Sequence, residues 1–182
     1  MAHARDIVAV DFFLDPTLTF RLLFVFVVLR HDRRELVHLN VTDHPTAVWT
    51  ARQMIEAFPD DSAPRFLLHD RDAIYGEEFT RRVKSMGIHE VLTAPRAPWQ
   101  NPFVERVIGS IRRECLDHFA ILSEAHLRRL LGRYRAYYNS SRPHQALENN
   151  SPIPRDVQPP LWGHIQAVAE VWGLHHCYQR VA

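Results

Sequence analysis

The sequence predicts an α/β fold, a central mixed sheet of about five strands flanked by helices. Three observations point there. The first forty residues hold three apolar stretches broken by turn residues, strand-like and helix-like segments then alternate, and two longer stretches with apolar residues at helical spacing follow. With 182 residues the chain can bury the core of one domain of ordinary size.

The apolar stretches Ile7 to Leu14, Phe20 to Leu29 and Glu35 to Val41 are separated by Asp15-Pro16-Thr17 and by His31-Asp32-Arg33-Arg34. They read as an antiparallel three-strand meander. Pro45 opens a helix whose apolar positions are Val48, Ala51, Ile55 and Phe58. Arg65 to His69 reads as a short strand ending at Asp70, Glu77 to Met86 as a polar helix stopped by Gly87, and His89 to Leu92 as a further strand. A proline-containing loop, TAPRAPWQNP, precedes a helix from Phe103 to Glu114. A last helix begins after Ser123, with Leu127, Leu130, Leu131 and Tyr134 on one face. From Asn149 onward SPIPRDVQPP suits neither helix nor strand, so the expected division is a core over 4–154 and a loosely attached, proline-containing tail over 155–182.

Composition excludes several classes. There are 22 basic and 21 acidic residues, so net charge alone announces no nucleic-acid partner. Cys115 and Cys177 lack a paired spacing, which fits free thiols in a reducing cytoplasm. The longest apolar run, Leu22 to Leu29, falls well short of the roughly 20 residues that span a bilayer. The first ten residues lack the pattern of a secretory signal, so a cytoplasmic protein without membrane association is expected.

Asp11 interrupts IVAVDFFL, a run that is otherwise apolar on both faces. An unpaired carboxylate there costs on the order of several kcal/mol unless a cation or a hydrogen-bonding partner compensates it. Asp70 ends a short apolar strand, a place where open α/β folds present site residues, and Asp72 is its local rival; both also suit ordinary turn chemistry. Glu105 lies near a helix start, where a carboxylate also suits the helix dipole. Converging from a strand, a strand end and a helix end, these three carboxylates would form an oxygen-donor site suited to two Mg²⁺ or Mn²⁺ ions.

The motifs VAVDFF, LLHDRDAIYGEEF and PWQNPFVERVIGSIRRE, with Asp70 and Glu105 standing 35 positions apart, resemble the catalytic core of the DDE-type integrases and transposases, that is, of retroviral integrases and bacterial insertion-sequence transposases. YYNSSRPHQAL followed by Pro152 is similar to the pattern that closes that core in many insertion-sequence members. The resemblance covers roughly residues 4 to 154. It implies a ribonuclease-H-like fold, Asp11, Asp70 and Glu105 as the catalytic and metal-binding residues, two Mg²⁺ or Mn²⁺ ions per site, and a polynucleotidyl transferase that cleaves DNA and transfers the freed strand. It further implies a homo-oligomer working on element ends and target DNA. Two departures stand out: Asp72 replaces a glycine usual in relatives, and the helix-turn-helix region that usually precedes the core is not seen, so terminal recognition is expected to lie in a separate or missing domain.

Five residues are candidate DNA contacts: Trp99, Gln100 and Asn101 in the loop before the Glu105 helix, Arg112 one heptad after Glu105 on nearly the same face, and Arg113 beside it. Lys84 is the one lysine, so phosphate contacts fall to arginine. Arg142 and His144 are expected to tie the last helix to the sheet. His175, His176 and Cys177 lack the partner motif of a closed zinc site. Two other functions are compatible with these residues: a ribonuclease-H-like nuclease that cuts without joining, and a truncated or domesticated core that binds DNA or another transposase chain without turnover.

Overall fold

The computed structural model of the chain describes residues 4–60, 62–94 and 100–182. Strands β1 (Ile7–Pro16), β2 (Leu22–Arg30), β3 (Leu36–Thr42), β4 (Phe66–His69) and β5 (His89–Leu92) form one sheet in the order β3-β2-β1-β4-β5. The first three pair antiparallel, whereas β4 joins β1 and β5 joins β4 in parallel. This is the expected mixed five-stranded sheet, and β1 lies at its centre.

Alternation along the strands sends side chains to two separate cores. Ala9, Phe13, Val25, Val27 and Leu29 face helices α3 (Pro102–Glu114) and α4 (Glu124–Ser140), meeting Val104, Val107, Ile111, Leu127, Leu130, Leu131 and Tyr134. On the other side Val8, Val10, Phe26 and Val28 pack with Met54 and Ala57 of α1 (Ala47–Ala57) and with Phe79 and Val83 of α2 (Glu77–Ser85). Covered on both faces, β1 and β2 are apolar at nearly every position, and a polar residue within them stands out.

Helix α1 forms where expected but rotated about its axis. Val48 and Ile55, assigned to the apolar face, are 66% and 44% exposed, and the buried positions are Thr50, Ala51, Gln53, Met54 and Ala57. Gln53 fits this rotation: its Oε1 bonds His38 Nε2 at 2.9 Å and accepts from Asn40 Nδ2 at 2.6 Å on β3. A paired amide is cheap to bury, whereas turning it outward would take the partner from His38 Nε2 and from Asn40 Nδ2. The helix starts at Ala47 because Thr46 caps it, accepting from the Trp49 N–H.

The segment after residue 154 is not a loose tail. β6 (His164–Glu170) and β7 (His175–Val181) form an antiparallel hairpin. Its turn inserts Val171, 2% exposed, into the core beneath α4. His175 donates from Nε2 to the Glu114 carbonyl at 2.7 Å and stacks on Tyr137 with ring centroids 4.4 Å apart. The prolines end the regular structure of the core but do not prevent a hairpin beyond them. Among the described residues no helix is long and apolar enough to cross a membrane.

Candidate active site

The register of the central strands brings two of the three acids to one level. The parallel β1–β4 ladder ends at Ala9 and Leu68, and two residues further along each chain lie Asp11 and Asp70. Asp11 alternates with Ala9 and Phe13 and so belongs to the sheet face covered by α3. Asn101, just before α3, is 6% exposed, and its Nδ2 reaches the Val10 carbonyl at 3.4 Å. The first turn of α3 with Glu105 is thus held beside Asp11.

Asp11 is only partly buried, and its Oδ1 accepts from the Phe12 N–H at 2.8 Å. Burial pushes its carboxyl up to about 7 against the pull of that N–H, and the charges of Glu105, Asp70 and Asp72 push in the same direction as burial. Asp70, Asp72 and Glu105 are exposed. An acid that is costly to ionise, with three further acids in electrostatic range, matches what hard divalent cations neutralise. The donor chemistry fits Mg²⁺ or Mn²⁺, but the spacing is open: among the described residues no three His, Cys, Asp or Glu side chains approach closely enough to hold an ion.

Asp70 and Asp72 share one turn. Asp70 Oδ1 accepts from the Asp72 N–H at 3.1 Å, and Asp72 Oδ1 accepts from the Ile74 N–H at 3.0 Å. Beneath the turn His69 is 2% exposed, bonding the Asp70 carbonyl through Nδ1 at 2.7 Å and Glu90 Oε1 through Nε2 at 3.0 Å. Thr80 Oγ1 donates to the same Glu90 oxygen at 3.2 Å. This buttress links β4, β5 and α2 under Asp70. His69 in RFLLH carries the same sequence signal as Asp11, a polar residue in an apolar strand.

The candidate DNA contacts are dispersed. Gln100 is exposed, and its Oε1 accepts from the Ala94 N–H at 2.7 Å. Trp99 lies outside the described residues. Arg112 is not free beside the acids: its NH2 donates to the Leu14 carbonyl at 2.7 Å and its guanidinium lies 5.0 Å from the Phe13 ring centre. A heptad restores the helix face but moves about 10 Å along the axis, which carries Arg112 past Asp11 toward the end of β1. Arg113 is exposed and accepts from His118 Nε2 through its carbonyl. Arg142 ties down the end of α3 rather than the sheet, donating Nε and NH2 to the two Glu114 oxygens at 2.8 and 2.6 Å. His144 is 7% exposed and lies edge-on to Tyr138, a structural placement.

Residues 86–152 match the family model described as the integrase core domain. The chain is 30% identical over 147 residues to the uncharacterized 39.2 kDa protein of insertion element IS476 from Xanthomonas euvesicatoria, covering 78% of this chain and 41% of that one. It is 27% identical to the uncharacterized 31.7 kDa protein of insertion element IS407 from Burkholderia multivorans, covering 81% and 54%. The chain therefore spans about half the length of these relatives. Among solved structures, the simian T-cell lymphotropic virus intasome in complex with PP2A regulatory subunit B56 gamma aligns at TM-score 0.64 and 14% identity, over 96% of this chain and 66% of that one. The catalytic domain of Mos1 mariner transposase aligns at 0.61 and 14%, over 73% and 71%. The HTLV-2 integrase catalytic core in complex with magnesium aligns at 0.52 and 15%, over 63% and 71%. Residues 86–152 thus match an integrase core domain, and the chain shares the ribonuclease-H-like fold of the integrase and transposase catalytic structures it aligns with.

Proposed function

We propose that the chain is the catalytic core of a DNA transposase, a polynucleotidyl transferase in which Asp11, Asp70 and Glu105 hold two Mg²⁺ or Mn²⁺ ions. The observation that carries this reading is that Asp11 and Asp70 reach one level of the parallel β1–β4 pair with the first turn of α3 and its Glu105 alongside, while burial pushes the Asp11 carboxyl up to about 7. Such a site is unfavourable alone and is relieved by divalent charge. Asp70 and Glu105 lie exposed at a strand end and a helix start, where side chains can turn inward without disturbing either core. The magnesium complex of the structurally similar HTLV-2 core supports the choice of ion.

When bound, the cations would supply activation of the attacking oxygen and stabilisation of the leaving oxygen. The chain's own groups would do the rest. Asp11, Asp70 and Glu105 would together hold the ions, and Glu105 would orient the attacking oxygen. A water oxygen forms a new bond to phosphorus as the bond to the 3′ oxygen breaks, and that oxygen leaves as a hydroxyl. The hydroxyl then attacks a target phosphodiester, one bond replacing another without an external energy source. Gln100, Asn101, Trp99 and Arg113 are proposed to guide the DNA, mainly through backbone and shape. A homo-oligomer on paired ends is part of the proposal.

Purified protein incubated with Mn²⁺, a supercoiled plasmid and a duplex with element ends tests this reading. Nicking and joined products from wild type, both absent from Asp11→Asn, Asp70→Asn and Glu105→Gln, are expected. Cutting without joining would identify a nuclease. The open spacing of the acids favours one further reading, a core that binds DNA without turnover. Equal DNA affinity of wild type and Asp11→Asn, with neither cleaving, would establish it.

A further inference from the structure

Three features that the fold itself does not explain meet on the outer side of α4. A cleft of about 680 Å³ opens there against the turn of the β6–β7 hairpin, and Phe119, His126, Arg129, Gly132, Arg133 and Trp172 line it. The first feature is Trp172, which stands 55% exposed on a backbone that is left-handed at both Val171 (φ 49°) and Trp172 (φ 53°). Residues other than glycine seldom adopt that conformation. Burial of Val171 anchors the turn, but it does not call for an indole on the surface beside it.

The second is Gly132, inside the 17-residue α4. Glycine within a helix is less stable than alanine, and a Cβ at Gly132 would meet nothing within 4 Å, so the chain's own packing does not require it. Close approach of something from outside does. The third is charge without a partner. Arg128 pairs with Glu124 and donates to Asn40 Oδ1 and the Val41 carbonyl. Among the described residues Arg129 and Arg133 make no ion pair and no side-chain hydrogen bond, and no carboxylate lines the cleft.

These features select the occupant. Arg129, Arg133 and His126 share one face of the helix and call for an anion. His126 Nδ1 accepts from the Leu122 N–H at 3.3 Å, which leaves the hydrogen of the neutral ring on Nε2 as a further donor. Trp172 lies edge-on to Phe119 with ring centres 5.7 Å apart, and the Arg133 guanidinium stands 5.8 Å from the Trp172 ring centre. A cation beside an open aromatic face suits a phosphate joined to a planar base. Bases in a duplex are closed to such a face, and a carboxylate-rich peptide would use the arginines but not the indole.

We propose that this cleft is a second nucleic-acid site that takes a segment of single-stranded DNA, with Arg129, Arg133 and His126 on its phosphates and a base stacked on Trp172. Gly132 admits the strand against the helix. The cleft shares no residue with the three acids, so the inference stands without the metal-site reading.

The test is fluorescence anisotropy of the full chain with a short labelled oligothymidine and with an abasic strand of equal length, in buffer without divalent metal. Trp172→Ala is expected to lose about 10-fold in oligothymidine affinity and to keep its affinity for the abasic strand. Arg129→Ala combined with Arg133→Ala should lower the slope of log affinity against log salt by about 1.4. Because Trp172→Ala also touches the turn that seats Val171, Gly132→Leu is the second variant: it should unfold at or above the wild-type temperature yet bind oligothymidine about 10-fold more weakly. Unchanged oligothymidine affinity in either variant overturns the proposal. So does an equal loss for both strands in Trp172→Ala, which would leave a cationic patch without stacking. A glutamate-rich peptide that binds wild type more tightly than oligothymidine, and loses affinity in the same variants, overturns it as well and assigns the cleft to a protein partner.

Discussion

Replacing Asp11 with asparagine should make the metal-free protein more stable at pH 8, although it removes a native carboxylate. The Asp11 carboxyl rises from 3.8 to about 7 on folding. At ~1.4 kcal/mol per tenfold change in proton affinity the rise corresponds to about 4 kcal/mol, and solvent reaching the partly exposed side chain reduces this to about 2 kcal/mol. The sign follows from proton uptake. Between pH 4 and 7 the folded state holds a proton that the unfolded state has released, so this group's contribution is full below pH 4 and is lost as pH rises through 7. Asparagine carries no such dependence. Urea unfolding of wild type and Asp11→Asn across pH 4 to 9 measures it: the curves should diverge above pH 5, with the variant about 2 kcal/mol more stable at pH 8, or roughly 4–8 °C higher in melting temperature. Saturating Mn²⁺ should reverse the order by stabilising wild type alone. Equal pH slopes for the two proteins, or a variant less stable at pH 8, would refute the account of Asp11 as a carboxylate strained by burial and by its acidic neighbours.

Removing Arg142 should cost about 2–3 kcal/mol in urea unfolding, because Arg142→Ala leaves Glu114, half-buried at the end of α3, with the Tyr134 hydroxyl as its remaining side-chain donor. Burial pushes the Glu114 carboxyl up, but the Arg142 and Tyr134 bonds outweigh it and leave the group below its ordinary value. Its contribution is therefore full at neutral pH and lost as pH falls through the lowered folded value, an acid loss that Glu114→Gln should lack. Truncation after residue 154 should lower stability by about 2–4 kcal/mol, since it uncovers the Val171 site beneath α4 and removes the His175 stack, and a melting curve unchanged by truncation would contradict the packing described. Asp70→Asn should abolish Mn²⁺ binding by titration whereas Asp72→Asn retains most of it, and the opposite ranking would move the ligand role to Asp72.

The sheet was legible because its strands obey a rule that acts locally. Continuous burial along β2 and the first part of β1, giving way to alternation from Phe13 to Pro16, follows from which faces are covered, and composition records both directly. Asp11 was legible for the same reason, as the polar break in an apolar run. Helix α1 was misread because a second apolar set, Ala47, Ala51, Met54 and Phe58, recurs at helical spacing and is the one facing the core, and Gln53 beside it faces inward to bond His38 and Asn40, two partners that no local pattern reveals. Arg112 failed differently. Helical periodicity fixes an angle but not a distance along the axis, and the residue sharing Glu105's face lies too far on to share its site. The hairpin after Pro154 escaped notice because its anchors, Val171 and His175, are single residues that gain meaning only from the surfaces of α3 and α4.

The cost of gathering negative charge at one end of a parallel strand pair must be met by structure that does not itself carry the charge. Asp11 stands between two cores that close on opposite faces of β1, so its backbone cannot relax to move the carboxyl outward without opening both. Asp70 is held from below by His69 and Glu90, and Glu105 by Asn101 on the Val10 carbonyl. Each acid is thus fixed through its backbone or a neighbour, and the carboxylates of Asp11 and Asp70 bond only to nearby backbone N–H groups, a division that suits groups whose partner arrives from solution. Hydrogen bonds made directly to those carboxylates would stabilise the metal-free protein better, but they would have to be broken before any cation could bind. Asp70 Oδ1 already bonds its own turn, and Asp11 Oδ1 the adjacent N–H. Neither of these local bonds spans the gap between the acids, and in the proposed function that gap is where divalent charge would restore the balance.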